Sequence, residues 1–206
     1  MSASAASRAR PTIGVLALQG DVREHVAALD ALDVDVLTVR RPEELNRCHG
    51  LVLPGGESTT IHKLARAFGL DEPLRAAIGS GLPVLGTCAG MILLADRVED
   101  ATADQETFGG LDVTVRRNAF GRQVDSFEED LDMVGVEGRV RAIFIRAPWV
   151  EEVGVGVETL ARVETGPASG RIVAVRQGSL MATSFHPEVG GDSRVHRSFL
   201  DLVHRA

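Results

Sequence analysis

In the first half of this chain, apolar runs of strand length end at glycine or proline turns and hand over to helical periodicity. That alternation restricts it to an α/β fold. Thr12-Ile13-Gly14-Val15-Leu16-Ala17-Leu18 is nearly continuous in apolar residues, the pattern of a strand buried on both faces of a parallel sheet. Gln19-Gly20-Asp21 reads as a turn with Asp21 as N-cap, and Val22, Val26 and Leu29 then recur at helical spacing between Asp21 and Leu32. Val34 to Val39 and Gly50 to Pro54 read as the next strands, the latter stopped by Pro54-Gly55-Gly56. Helices are expected over Ser58–Phe68 and Asp71–Ile78, a strand over Pro83–Gly86, and a helix over Cys88–Ala95. Such a succession gives parallel strands joined by right-handed crossovers, with ligands bound outside the carboxyl ends of the strands. Two turns therefore matter most, Pro54–Ser58 and Thr87–Gly90.

The second half changes character. Leu111–Val115, Gln123–Phe127, Arg141–Ile145, Val153–Val163, Ile172–Arg176 and Ser179–Phe185 read as strands with few helices between them, so antiparallel or mixed pairing is expected. Residues 128–140 read as an acidic loop. A closing helix is capped by Asp192 or Ser193, with Val195, Phe199, Leu202 and Val203 on its buried face. The expectation is an α/β protein of three layers: a mostly parallel, flavodoxin-like central sheet, flanking helices, and an added antiparallel portion in the second half. A single domain spans 12–206, after a disordered tail over 1–11.

Composition excludes several function classes. A net charge of −7 lacks the footprint of a general nucleic-acid binder. No run approaches the roughly 20 apolar residues of a membrane span, and residues 1–10 have no apolar core of a secretory signal. The two cysteines, Cys48 and Cys88, form no C-x-x-C pair, which argues against a disulfide framework or a cysteine-rich zinc site. No metal and no cofactor is expected, and the cytoplasm is the expected location.

Gly86-Thr87-Cys88-Ala89-Gly90 stands where a strand passes into a helix and has the form of a nucleophile elbow. The sharp turn exposes the nucleophile at a helix N-terminus, where the dipole favours negative charge, and small residues on either side relieve the crowding. The amide of Ala89 faces the same space and is suited to stabilise an oxyanion. A cysteine nucleophile needs a base. Of six histidines, five (His25, His49, His62, His196 and His204) sit beside charged residues, and a solvated face accounts for them. His186 instead follows an apolar strand and precedes Pro187-Glu188, so Glu188 is placed to fold back and orient the imidazole. The Gly55-Gly56-Glu57-Ser58 turn has two readings: a second oxyanion donor with substrate contacts, or a plain helix-initiating loop with Ser58 as N-cap. Cys48 is expected to be buried and inert.

Taken together, these elements resemble the class I glutamine amidotransferase family. The runs Gly14–Gly20 with Glu24-His25, Leu53–Thr60, Gly86–Met91, Arg117–Gln123, Phe144–Pro148 and Phe185–Glu188 are most similar to one branch of it, the glutaminase subunits of pyridoxal 5′-phosphate synthases. The resemblance covers Thr12 to Val203. It implies that Cys88 attacks the side-chain amide of L-glutamine, that His186 moves the proton, and that Glu188 orients His186. It assigns Gly56, Glu57, Ser58, Arg117, Ile145 and Arg146 to glutamine binding, and Gly55, Gly56 and Ala89 to the oxyanion. It further implies a partner, a separate synthase subunit that takes the ammonia and stimulates the glutaminase. The alternatives are a glutaminase subunit of another synthase, such as the one making imidazole glycerol phosphate, a non-catalytic regulatory subunit on the same scaffold, and a peptidase-like thiol hydrolase.

Overall fold

The computed structural model describes residues 10–120 and 126–206. The tail expected over 1–11 lies outside the described residues as far as residue 9. So do Gly121, Arg122 and Gln123 of the Arg117–Gln123 run and the start of the strand expected at Gln123.

The first half alternates as its patterning requires: β1 (Thr12–Leu16), α1 (Val22–Asp30), β2 (Asp35–Val39), α2 (Pro42–Leu45), β3 (Gly50–Leu53), α3 (Ser58–Ala67), α4 (Asp71–Gly79), β4 (Val84–Thr87) and α5 (Ala89–Leu94). The rest comprises β5 (Ala95–Glu99), β6 (Leu111–Arg116), β7 (Ser126–Leu131), β8 (Val140–Ile145), β9 (Trp149–Val153), β10 (Glu158–Arg162), β11 (Ile172–Gln177), β12 (Leu180–Thr183) and α6 (Arg194–Val203). Among the described residues the main sheet runs β2-β1-β3-β4-β12-β11-β9-β6-β5, with β10 paired to β11, and β7-β8 form a separate antiparallel ribbon. Pairing is parallel from β2 across to β12. It turns antiparallel at β11, β9 and β6, and β5 closes that edge parallel to β6.

Side chains of the central strands alternate between two buried layers, as a pleat demands. Ile13, Val15, Val52, Leu85 and Met181 pack on one face with Leu29 of α1 and Phe199 of α6. Leu16, Leu51, Leu53, Val84 and Leu180 pack on the other with Ile61 of α3, Leu74 of α4 and Met91 of α5. The three-layer α/β expectation holds, and β3, β4 and β12 are buried at every position.

Two expectations need correction. Val153–Val163 is not one strand: alternating valines suggest continuity, but the chain turns through Gly154 and Gly156 (φ 81°) and leaves Val155 95% exposed. Residues 128–140 are not simply a loop. β7 runs to Leu131 and pairs with β8, its acidic side chains hiding a two-residue burial alternation. The Glu129 carboxylate there accepts from the Thr165 N–H at 2.8 Å and ties the ribbon to a distant turn. β5 went unread because it is a charged edge strand, the usual defence of an exposed edge. Among the described residues no helix is long and apolar enough to cross a membrane.

Candidate active site

β1 is the point where strand order reverses, with β2 on one side and β3 on the other. An open α/β sheet opens a crevice at the carboxyl ends of the strands there. The Gln19–Asp21 turn leaves β1 and the Pro54–Glu57 turn leaves β3. Asp21 N–H donates to the Gly55 carbonyl at 3.1 Å, and Glu57 N–H donates to Gln19 Oε1 at 2.8 Å. The two turns are so close that a Cβ on Gly20 (φ 109°) would stand 1.7 Å from Gly55 O.

β4 delivers Cys88 to the same end. Cys88 caps α5 with φ 49° and ψ −102°, a conformation costing a non-glycine residue about 1–3 kcal/mol. Its N–H is held by Thr183 O of β12 at 2.8 Å. The flanking glycines are required by contact: a Cβ on Gly86 would lie 2.6 Å from Gly90 O, and one on Gly90 only 2.1 Å from Leu53 O. Ala89 is the first helical residue, so its N–H belongs to the opening turn that has no intrahelical acceptor.

β12 brings in His186 and Glu188, both buried. His186 Nδ1 lies 2.7 Å from Glu188 Oε1 and 3.3 Å from Asp21 Oδ2. With both carboxylates on the Nδ1 side, Nε2 is the nitrogen left to serve Cys88, which lines the same cleft. Burial works to lower the His186 pKa, but hydrogen bonds to Asp21, Cys88 and Glu188 outweigh it and hold the imidazole well above its ordinary range. The two carboxylates diverge. Burial pushes Glu188 up, whereas half-exposed Asp21 is pulled down by its hydrogen bond to His186. Asp21, His186 and Glu188 are the one group among the described residues whose ligand atoms lie close enough for a metal, all within 4.8 Å. The single Nδ1 bonds Glu188 Oε1, and Asp21 Oδ2 stands 3.3 Å from the same nitrogen.

A cleft of about 360 Å³ opens over these groups, lined by Gly56, Glu57, Cys88, Ile145, Arg146 and His186 of the residues expected from sequence. That volume lies within the usual range of small-molecule sites. Ser58 and Arg117 are not part of the lining. Ser58 Oγ donates to Gln105 Oε1 at 2.7 Å, and Arg117 pairs through Nη2 with Glu57 Oε1 at 2.9 Å, standing behind Glu57. Gly55 packs against the imidazole, since a Cβ on it would come within 2.5 Å of His186 Cε1, and its carbonyl is turned to Asp21.

Sequence reasoning missed Gln19, Asp21 and Asn118 as lining residues. Asn118 carries a signal in the structure, a left-handed φ of 45°, as does Arg146 at 43°. Asp21 is the N-cap of α1, as expected, but its side chain makes no capping bond because the carboxylate goes to His186. The solvated-face reading of the other histidines fails for His25, His62 and His196, all buried. Cys48 is partly buried, its Sγ donating to Glu44 O at 3.4 Å, and burial pushes its thiol up to about 11.

The buried histidines set an acid response. Burial lowers His25 well below the usual imidazole range and His196 from 6.5 to about 4, the latter against the pull of Asp192. The unfolded chain therefore binds the proton more readily, and stability present above about pH 6.5 is lost as pH falls towards 4. His196 alone accounts for a change on the order of 3 kcal/mol. Urea melts between pH 7 and 4 are expected to show this slope, and His196→Asn to flatten it.

Residues 15–205 match the SNO glutamine amidotransferase family. A protein of Nocardioides sp. named pyridoxal 5′-phosphate synthase subunit PdxT is 71% identical over 193 residues, covering 94% of this chain and 96% of its own length. One of the same name from Kineococcus radiotolerans is 68% identical over 196 residues, covering 94% and 95%. A crystal structure described as a glutamine amidotransferase superposes with a TM-score of 0.86 at 48% identity, covering 93% of this chain and 98% of that one. The PurLQS structure from Thermotoga maritima matches with a TM-score of 0.68 at 18% identity, covering 94% and 99%, a likeness of fold alone.

Proposed function

Because this chain belongs to the SNO glutamine amidotransferase family, we propose that it is the glutaminase subunit of a pyridoxal 5′-phosphate synthase, hydrolysing L-glutamine and passing the ammonia to a cytoplasmic synthase subunit. The name shared by its relatives favours this synthase over one making imidazole glycerol phosphate. The observation that carries the reading is the juxtaposition at the cleft floor: a cysteine in a left-handed turn at a helix start, sharing the cleft lining with a histidine whose Nδ1 is held 2.7 Å from a buried glutamate.

Cys88 Sγ attacks the amide carbon of glutamine and its proton resides on His186. The tetrahedral oxyanion forms between the Ala89 amide and the Gly55-Gly56 turn, and each such donor is worth about 10²–10³ in kcat. His186 gives its proton to the departing nitrogen, ammonia leaves, and a γ-glutamyl thioester remains on Cys88. Water, deprotonated by His186, attacks the thioester, and glutamate departs as the thiol re-forms. The raised His186 pKa keeps the proton on the imidazole, ready for the leaving amine. Glu188 fixes the tautomer and stabilises the imidazolium.

Gly56, Glu57, Ile145 and Arg146 line the space for glutamine, with Arg117 supporting Glu57. Arg146 is the guanidinium in the lining, suited to the α-carboxylate of glutamine, and Arg117 acts through Glu57. Arg117→Ala is expected to raise KM for glutamine about tenfold or more with a smaller effect on kcat, measured by glutamate release.

The deciding experiment is glutamate release by the purified chain with and without the synthase subunit, together with pyridoxal 5′-phosphate formation by the mixture. Partner-stimulated hydrolysis is expected. No hydrolysis under either condition would overturn the glutaminase reading in favour of a regulatory subunit. Turnover of γ-glutamyl peptides in preference to glutamine would favour a thiol hydrolase.

A further inference from the structure

Behind the cleft, a chain of polar groups that the reaction above leaves unused runs inward from Glu188. His25 of α1 and His196 of α6 are fully buried, as is Thr87 at the end of β4. His25 Nε2 lies 3.4 Å from Glu188 Oε2 and 3.0 Å from Thr87 Oγ1, and His25 Nδ1 lies 2.9 Å from His196 Nε2. Glu188 Oε1 is occupied by His186, while Oε2 is buried with no hydrogen-bond partner, and His25 Nε2, bonded to Thr87 Oγ1, stands 3.4 Å from it. A buried carboxylate oxygen left without a donor is costly, and the position of that oxygen fixes where Oε1 can be.

Counting donors and acceptors fixes the direction of the chain. An ionised carboxylate only accepts. His25 must then carry its proton on Nε2 to serve Oε2, which leaves Nδ1 as an acceptor and requires His196 to donate from its own Nε2. Burial holds both imidazoles neutral, so each has one donor and one acceptor to offer. The ring centroids are 5.2 Å apart and the planes 61° apart, an arrangement compatible with a bond from one ring's N–H to the other's in-plane lone pair.

We propose that His25 is a positioning residue for glutamine hydrolysis: its Nε2–H, shared between Thr87 Oγ1 and the Glu188 Oε2 that stands 3.4 Å away, holds the carboxylate so that Oε1 stays on His186, and His196 fixes the tautomer of His25. The inference rests on Cys88, His186 and Glu188 acting as the triad. Helices α1 and α6, remote from one another in the chain, thus brace the catalytic base through one imidazole each.

Two measurements test it. The first reads the ¹⁵N shifts of the histidine rings in the intact wild-type chain near neutral pH. His25 is expected as the Nε2–H tautomer with Nδ1 unprotonated. The Nδ1–H tautomer would overturn the proposal, since Nε2 would then accept, and Glu188 or Thr87 would be the donor. The second is steady-state glutamine hydrolysis with the synthase subunit present. A glutamine side chain places an amide N–H near the position of the histidine Nε2, whereas asparagine reaches only the position of Nδ1. His25→Asn is expected to lower kcat about tenfold or more while KM stays within about twofold, and His25→Gln to recover most of the loss. Full activity in His25→Asn, or equal losses in both variants, would overturn it. If His25→Asn does not fold, the tautomer measurement still decides. If the wild type releases no glutamate, the glutaminase reading fails, and the ring shifts report on His25 independently of it.

Discussion

Cys88→Ala is expected to reduce glutamine hydrolysis at least about 10⁴-fold while leaving the fold intact. Loss of a covalent nucleophile removes the thioester route altogether, so the residual rate reflects binding and oxyanion stabilisation alone. Glutamate release in the presence of the synthase subunit measures it, with circular dichroism confirming the fold. Activity within tenfold of wild type would remove Cys88 as nucleophile. The same position makes a second, opposite forecast. At φ 49° and ψ −102° the residue stores strain that alanine retains and glycine relieves. Cys88→Gly is expected to be inactive yet to melt higher than Cys88→Ala, a sign that the turn is held open for chemistry at the expense of stability.

Gly20→Ala is expected to disable the enzyme without touching any reacting group. A Cβ there meets Gly55 O at 1.7 Å and also requires a φ of 109° that L side chains rarely adopt. Backbone strain and overpacking together are expected to destabilise the chain by about 2–5 kcal/mol, read from the urea midpoint. Whatever relief is found must push the Gly55-Gly56 turn away from Asp21 and His186. A displacement on the scale of 1 Å at a reacting geometry costs about 10²-fold in rate. Wild-type kcat in a folded Gly20→Ala variant would show that the contact between the two turns is dispensable.

What the sequence disclosed was what depends on near neighbours. Cys88 was legible because glycines, strand and helix stand within a few residues of it, and His186 because Pro187 and Glu188 follow it directly. The parallel half of the sheet was legible because strands buried on both faces are apolar throughout. Asp21, His25 and His196 were not. Their environment is set by partners far along the chain, His186 for Asp21 and His196 for His25, and a histidine between charged neighbours looks solvated until the helix that covers it is placed. Gln19 and Asn118 sit in loops with no local pattern to mark them. Ser58 was drawn towards the substrate by its place in the turn, yet its hydroxyl is taken by Gln105 from a segment with no periodicity. β7 was hidden by its acids, which face solvent or fasten neighbouring turns.

The strand order carries a consequence for synthesis on the ribosome. β12, the last strand to emerge, lies not at an edge but between β4 and β11, pairing with both. A nascent chain that has not yet reached Leu180 presents two unsatisfied strand edges and a thiol with no base beside it. Cys88 waits for His186 through nearly half the length of the polypeptide. The glutaminase therefore cannot form before its sheet is complete, and an interrupted translation product is chemically silent but exposed to aggregation.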